Sequence, residues 1–397
     1  MKNIIKLVML VSVLVSINMY AGSNFYSKIK GMGYIEVKIA GEVNDGVTEG
    51  EIVHSGKFNK IDCGNSHCYA IGDGMLYVIG NNESGQLGIG DNISRNAWTY
   101  VAGFKNVTDI SAGQDHGYII SDNKLYSAGG NNNGQLGRGS ETNNKWGLSV
   151  GMEGVTAIAA GEYCGYAIIE GLIYSIGYNV YGKLGRNGSV NSSEWGVSKN
   201  IDNATDVVAG KYHAYAIRDK TVYAVGYNGS GQLGNNMRVN SSVWVRSFIN
   251  NVDKVSAGQY SGYALSGGKA YSVGKNSYGQ LGINNKDDKM SWVLSSSIYT
   301  VNDIDSGLGH AYMISGGQLY STGSNSTGQL GIVSGDLQKW TLVEGMNNVS
   351  KIYAADNSAY AIKDGELYVV GSNSFGMLGI ENVNKNIFTK VEVKISQ

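Results

Sequence analysis

From Tyr69 to Gly80 the chain reads YAIGDGMLYVIG, and from Tyr360 to Gly371 it reads YAIKDGELYVVG. In both stretches β-prone apolar and small residues alternate through two short segments parted by Asp-Gly. Period-two alternation around a pair that accepts positive φ predicts a β-hairpin. Asp73-Gly74, Gly267-Gly268, Gly316-Gly317 and Asp364-Gly365 all suit such a turn. Two more β-prone stretches accompany each hairpin. One is opened by an aromatic residue: Trp98, Trp146, Trp195, Trp244, Trp292, Trp340 and finally Phe388. The other has the form VTDISAG or VDKVSAG. Both are read as preceding the hairpin, which gives four strands per unit and no amphipathic helix of useful length.

Two markers fix the register of these units. Gly-x-Asn-x-x-Gly-[Gln/Lys/Met]-Leu-Gly begins at Gly80, Gly129, Gly177, Gly226, Gly274, Gly323 and Gly371, in steps of 49 and 48 residues. Sixteen residues before each lies a small residue followed by Gly64, Gly113, Gly161, Gly210, Gly258 or Gly307, with Ala355 in the last copy. Such spacing marks units that bury their apolar faces only against their neighbours. Seven units of four strands predict an all-β fold, a seven-bladed β-propeller of four-stranded antiparallel blades over residues 58–397. Because the first marker has no tryptophan strand before it, the C-terminal NIFTKVEVKI is expected to complete blade one and close the ring. The segment Gly33 to Val43, within an N-terminal stretch 24–57 of one or two strands, is read as covering or extending that blade.

Composition adds three constraints. The first 23 residues hold Lys2 and Lys6, an apolar run from Leu7 to about Val15, then Ala21, Gly22 and Ser23, the layout of a signal peptide cleaved after Ala21 or Ser23. The run is shorter than the roughly 20 residues of a spanning helix. The mature protein is therefore expected to be exported, periplasmic or extracellular, without a membrane span. Thirty-two acidic side chains face 31 basic ones, two of which leave with the leader. That balance recommends no nucleic-acid partner. Three cysteines leave two arrangements open: a Cys63 to Cys68 disulfide with Cys164 free or paired between molecules, or three unpaired thiols. The tryptophan column and the tyrosine columns of Tyr69 and Tyr77 are read as packing between blades.

With these motifs on the page, GNNESGQLG and the upstream CGNSHCYAI resemble the repeat of the regulator of chromosome condensation family, over about Phe58 to Gln397. The resemblance implies a seven-bladed propeller. It also implies guanine-nucleotide exchange on a small GTPase and chromatin binding for the nuclear member, which uses an inserted wedge and basic chain ends. Units that differ by one residue leave no room for a wedge here, and the ends are not strongly basic. Secreted bacterial relatives of the fold, one of which inhibits β-lactamases, present one propeller face to a protein.

Candidate chemistry is thin. His67, His116, His213 and His310 share one marker position, held elsewhere by Cys164, Ser261 and Ser358, while His54 lies outside the repeats. One imidazole per blade keeps the rings too far apart for a metal, so neither a metal nor another cofactor is expected. No nucleophile with a matched base, paired carboxylates or phosphate loop stands out, so no catalytic residue is assigned. GxNxxG lacks the strand-to-helix setting of a dinucleotide fingerprint.

Variable positions carry the functional expectation. By strand parity, the loop after the small-Gly marker and the GxNxxG loop share one face. There Tyr163, Tyr178, Tyr181, Tyr212, Tyr227, Tyr260 and Tyr278 all fall in blades three to five. Tyrosine supplies contact area with a polar tip at low entropic cost. The expected function is a non-enzymatic, monomeric scaffold binding a protein partner through this arc, with Glu162 and Lys211 setting orientation. The alternatives are a carbohydrate-binding propeller and a nucleotide-exchange effector.

Overall fold

The structure is a computed structural model that describes residues 57–139, 143–380, 383–393 and 395–396, with two short strands at Tyr26–Ser27 and Ile35–Glu36. The leader, His54 and the remainder of the 24–56 segment lie outside the described residues. The two short strands pair with each other in a sheet of their own. Among the described residues no helix is long and apolar enough to cross a membrane.

Seven antiparallel sheets follow in chain order. Blade one consists of Lys60–Cys63, His67–Gly72, Met75–Gly80 and Arg95–Val101, and the other six repeat its order. The predicted hairpins are the middle two strands, in register from Cys164↔Gly177 to Ile169↔Leu172 in blade three. Asp73 and Gly74 both take positive φ, as the two-residue turn demands.

The assignment of the tryptophan strand needs correction. It follows its hairpin as the outermost strand of the same blade: Arg95–Val101 pairs with Met75–Gly80, and Lys385–Lys390, which carries Phe388, pairs with Glu366–Gly371 of blade seven. A cyclic repeat does not reveal where each unit begins, and only a short link parts each tryptophan stretch from the VTDISAG-type stretch that follows it. In the fold that short link crosses between blades, while the longer GxNxxG loop stays within one. The C-terminal strand still reaches blade one, two residues wide: Ile395–Ser396 runs parallel to Trp98 and Thr99 as a fifth strand. Phe58, Ile61, Ile79 and Trp98 pack with Tyr360, Leu367, Leu378 and Val391 across the closing junction.

The two markers have distinct physical duties. A Cβ at Gly64 would lie 1.9 Å from the Gly113 carbonyl oxygen of the next blade, and one at Gly307 would lie 2.1 Å from that of Ala355. Glycine is needed there because adjacent blades meet backbone to backbone around the axis. In the GxNxxG loop, Asn82 is fully buried. Its Nδ2 donates to the carbonyls of Asp91 and Ile93, and its Oδ1 accepts from Leu87 N. Leu87 and its equivalents Leu136, Leu184, Leu233, Leu281, Leu330 and Leu378 are wholly buried.

Tyrosines of the Tyr69 column are buried, and all of their hydroxyls except that of Tyr312 donate to the glutamine or equivalent carbonyl of the GxNxxG loop, as Tyr69 does to Gln86 O at 2.6 Å. Each ring meets the tryptophan of the following blade: Tyr69 with Trp146 at 5.2 Å between centroids, Tyr166 with Trp244 at 6.2 Å. Phe388 does this for Tyr312. Cys63 and Cys68 face each other across the first two strands of blade one and form a disulfide, while Cys164 is a buried free thiol.

Candidate partner-binding face

The small-Gly turn joins strands one and two of each blade, and the GxNxxG loop joins strands three and four. Both lie at the same end of the blade, so the shared face survives the corrected strand assignment. Around the axis, the innermost strands of all seven blades line a channel of about 490 Å³. Its wall carries Asp62, Asp109, Asp206, Asp303 and Asp305 against Lys60, Lys254 and Lys351. Lys60 bonds Asp109, and Lys254 holds Asp303 at 2.6 Å. Burial pushes the Asp62 carboxyl up to about 6, against the pull of its hydrogen bond from Ala112 N.

At the face end of this channel, Lys211 of blade four and Glu162 of blade three form an ion pair of 2.7 Å. Burial works against the Lys211 ammonium, but the hydrogen bond and charge of Glu162, with the charges of Tyr212 and Asp356, together outweigh it and hold its pKa above the ordinary value. Asp356 of blade seven is pushed up to about 6 by burial, with Lys211 pulling the other way.

Six of the seven predicted tyrosines come together beside this pair. Tyr163 meets Tyr178 edge-on at 6.4 Å. Tyr181 packs on Tyr227 at 4.8 Å and Tyr212 at 5.8 Å, and Tyr212 and Tyr227 both reach Tyr260, at 5.4 and 5.7 Å. Such edge and tilted pairs contribute about 0.5–1.5 kcal/mol each beyond buried area. Burial and the neighbouring Tyr212 push the Tyr260 phenol up to about 12. The rings are half-buried against one another; only Tyr181, 42% exposed, and Tyr278, 46% exposed, stand out. Tyr278 lies apart from the cluster, its ring over Gly309 of blade six.

The structure also adds residues that the sequence reading did not select. Asn133 and Val180 join Glu162, Tyr163, Tyr178, Tyr181 and Tyr212 around a cavity of about 350 Å³. Lys275 sits over the Tyr260 ring at 5.2 Å. Lys183, fully buried, has its ammonium 5.4 Å from the Tyr178 centroid and 6.0 Å from that of Tyr212. The signal for Lys183 was its lysine in a motif slot that is glutamine in five of seven copies.

The marker histidines lie between blades rather than on the face. His116 Nε2 is 3.3 Å from the Cys164 carbonyl of the next blade, and His67, His213 and His310 turn likewise toward the backbone of His116, Ser261 and Ser358. Burial pushes His67 and His213 down to about 3 and His310 to about 4. Among the described residues no three metal-ligating side chains are gathered at one point.

Seven such blades agree with what sequence comparison finds, since the family described as "Regulator of chromosome condensation (RCC1) repeat" matches residues 73–120. Residues 73–120, from the hairpin turn of blade one to the second strand of blade two, are thus similar to an RCC1 repeat. No curated protein matches this sequence. Among solved structures, this propeller is similar to human WBSCR16, with 19% identity, a TM-score of 0.72, and 80% of this chain and 93% of that one covered. It is also similar to Prp20p from Saccharomyces cerevisiae, described with its binding properties to Gsp1p and histones, at 18% identity and TM-score 0.72, covering 81% and 87%. Yeast RCC1 (Prp20) bound to Kap60 matches at 17% identity and TM-score 0.71, covering 89% and 91%. At these identities the likeness shows a shared fold.

Proposed function

We propose that this protein is an exported, non-enzymatic propeller scaffold that binds a protein partner with the tyrosine face of blades three to five. The observation that carries the reading is the cluster itself. Six tyrosines from three consecutive blades gather beside one ion pair, Tyr163 on Tyr178 and Tyr181, Tyr212, Tyr227 and Tyr260 on one another, the two groups meeting around one cavity as a half-exposed aromatic surface confined to one sector. Interfaces favour tyrosine for this combination of area, polar tip and small entropic cost. The Cys63–Cys68 disulfide supports export, because such bonds persist in oxidising compartments. Binding of other proteins, as described for Prp20p, is a use of this fold consistent with the reading.

Carbohydrate binding is the second reading, favoured by the cavity whose tyrosine walls and Asn133 and Glu162 side chains suit a sugar ring. Nucleotide exchange is third, since the near-equal units lack an inserted wedge. Affinity capture with the native protein and with the Tyr163→Ala, Tyr212→Ala, Tyr260→Ala triple variant tests the proposal. The partner is expected to be retained by the first and lost by the second. A glycan array and an exchange assay on purified protein separate the other two.

A further inference from the structure

Five of the seven GxNxxG loops share one internal bond. The glutamine Oε1 accepts from the backbone N–H two residues earlier: Gln86 from Ser84, Gln135 from Asn133, Gln232 from Ser230, Gln280 from Tyr278 and Gln329 from Thr327, all at 2.8–3.1 Å. Blades three and seven have Lys183 and Met377 in that slot, neither of which offers this oxygen acceptor. In both, the loop becomes a 3₁₀ turn, Val180–Gly182 and Ser374–Gly376, and its central aromatic is left-handed: Tyr181 at φ 61° and Phe375 at φ 60°. Non-glycine residues pay for that conformation, and such strain gathers at functional sites. In blade seven only an exposed ring results. In blade three the turned loop sets Tyr181 as one wall of the 350 Å³ cavity and places a buried ammonium behind two of the other walls.

That ammonium is the unbalanced charge of the site. Lys183 Nζ donates to the Lys211 carbonyl at 3.1 Å and faces two tyrosine rings, and among the described residues it has no carboxylate within 4 Å. Lys211 and Glu162 neutralise each other, and Asp115 of blade two lies beside His116, near enough to Tyr163 to raise its phenol. A buried cation without a counter-charge is costly, and tyrosine faces offset only part of that cost. We propose that the cavity is a carboxylate-binding site, in which an Asp or Glu side chain of the protein partner sits among Tyr163, Tyr178, Tyr181 and Tyr212 in the field of Lys183. This rests on the tyrosine face being a protein-binding surface. The aromatic platform runs on from the cavity across blade four to Tyr260, so the carboxylate arrives on a larger apolar body, as a protein loop provides.

The test uses end-blocked Ala-Leu-Glu-Leu-Ala and its Gln counterpart as probes, with free glucuronate as a third arm, titrated calorimetrically against the purified full chain. The native protein is expected to prefer the Glu peptide by about tenfold or more, less so as salt rises. Lys183→Met abolishes the preference while keeping the loop, because Met377 already supports the same turn in blade seven. Should Lys183→Met not fold, Lys183→Gln carries the residue of five other loops and removes the same charge. Equal binding of the two peptides, absence of Glu-peptide binding, or a preference that persists in the Lys183 variants would overturn the site. Binding of glucuronate without the peptide would also overturn it, in favour of an acidic sugar. None of these outcomes alters partner capture by the tyrosine face, which has its own alanine test.

Discussion

Gly80–Gly88, GNNESGQLG, and Gly177–Gly185, GYNVYGKLG, occupy the same place in blades one and three and share the same scaffold. Asn82 and Asn179 hold the same bonds, from Leu87 N and Leu184 N to their Oδ1 at 2.9 and 2.8 Å, and from their Nδ2 to the Ile93 and Val190 carbonyls. The two loops differ at four positions, Asn81/Tyr178, Glu83/Val180, Ser84/Tyr181 and Gln86/Lys183, and the last two change the turn. Ser84 and Gln86 bond to each other, while Tyr181 and Lys183 do not, and the second loop turns an aromatic outward over a buried charge. A joint that only connects strands thereby becomes the wall of a candidate site, with the frame around it unchanged.

If the frame is shared, breaking it should cost both loops alike. Asn82→Ala and Asn179→Ala each strand a buried Leu N–H and two carbonyls, and each is expected to lose about 2–4 kcal/mol in denaturant unfolding. A loss confined to one of them would show that the loops are held differently.

Acid should act on the two blades unequally. His67 of blade one stays neutral in the folded state down to about 3, whereas in the unfolded chain it protonates near 6.5. Between those values the unfolded state binds the extra proton, so this contribution to stability is present above pH 6.5 and is lost as pH falls toward 3. The same position in blade three is Cys164 rather than an imidazole. Relative to His67→Ser, the native protein should lose roughly 1 kcal/mol per pH unit between pH 6 and 4. A constant difference in unfolding free energy across that range would argue against a buried neutral imidazole.

The smallest effects sharpen the contrast most. Tyr181→Gly relieves a left-handed position but removes the ring pairs with Tyr212 and Tyr227, and is expected to lower stability by no more than about 2 kcal/mol. Ser84→Gly should lower it slightly. Lys183→Gln supplies the missing acceptor, and thermal melts should show a gain of about 1 kcal/mol; a loss would mean the lysine is better accommodated than its surroundings suggest.

Most of the fold was legible because its causes are local and repeated seven times. Glycine stands at the axis where a Cβ would strike the next blade, asparagine where a long loop needs tying, and tryptophan where blades meet. The origin of each unit was not legible, since a cyclic pattern looks the same from any starting point, and Phe388 was assigned to blade one rather than blade seven. Within the site, strand parity placed Tyr163, Tyr178, Tyr181, Tyr212, Tyr227 and Tyr260 on one face, and the structure brings them into contact. Tyr278 shares the motif slot of Tyr181 but keeps its glutamine bond and lies over blade six instead. Lys183 passed as a tolerated variant because its burial and its position behind two tyrosine rings arise only from packing between blades three and four.

The central claim is that the tyrosine sector binds a protein partner and the rest of the face does not. One measurement addresses it directly: side-by-side capture with the native chain, the Tyr163→Ala, Tyr212→Ala, Tyr260→Ala variant, and a Phe375→Ala control in blade seven, all with matched melting curves. The account predicts that native protein and control retain the same partner and that the triple variant loses it. Retention by the triple variant at native strength would contradict it.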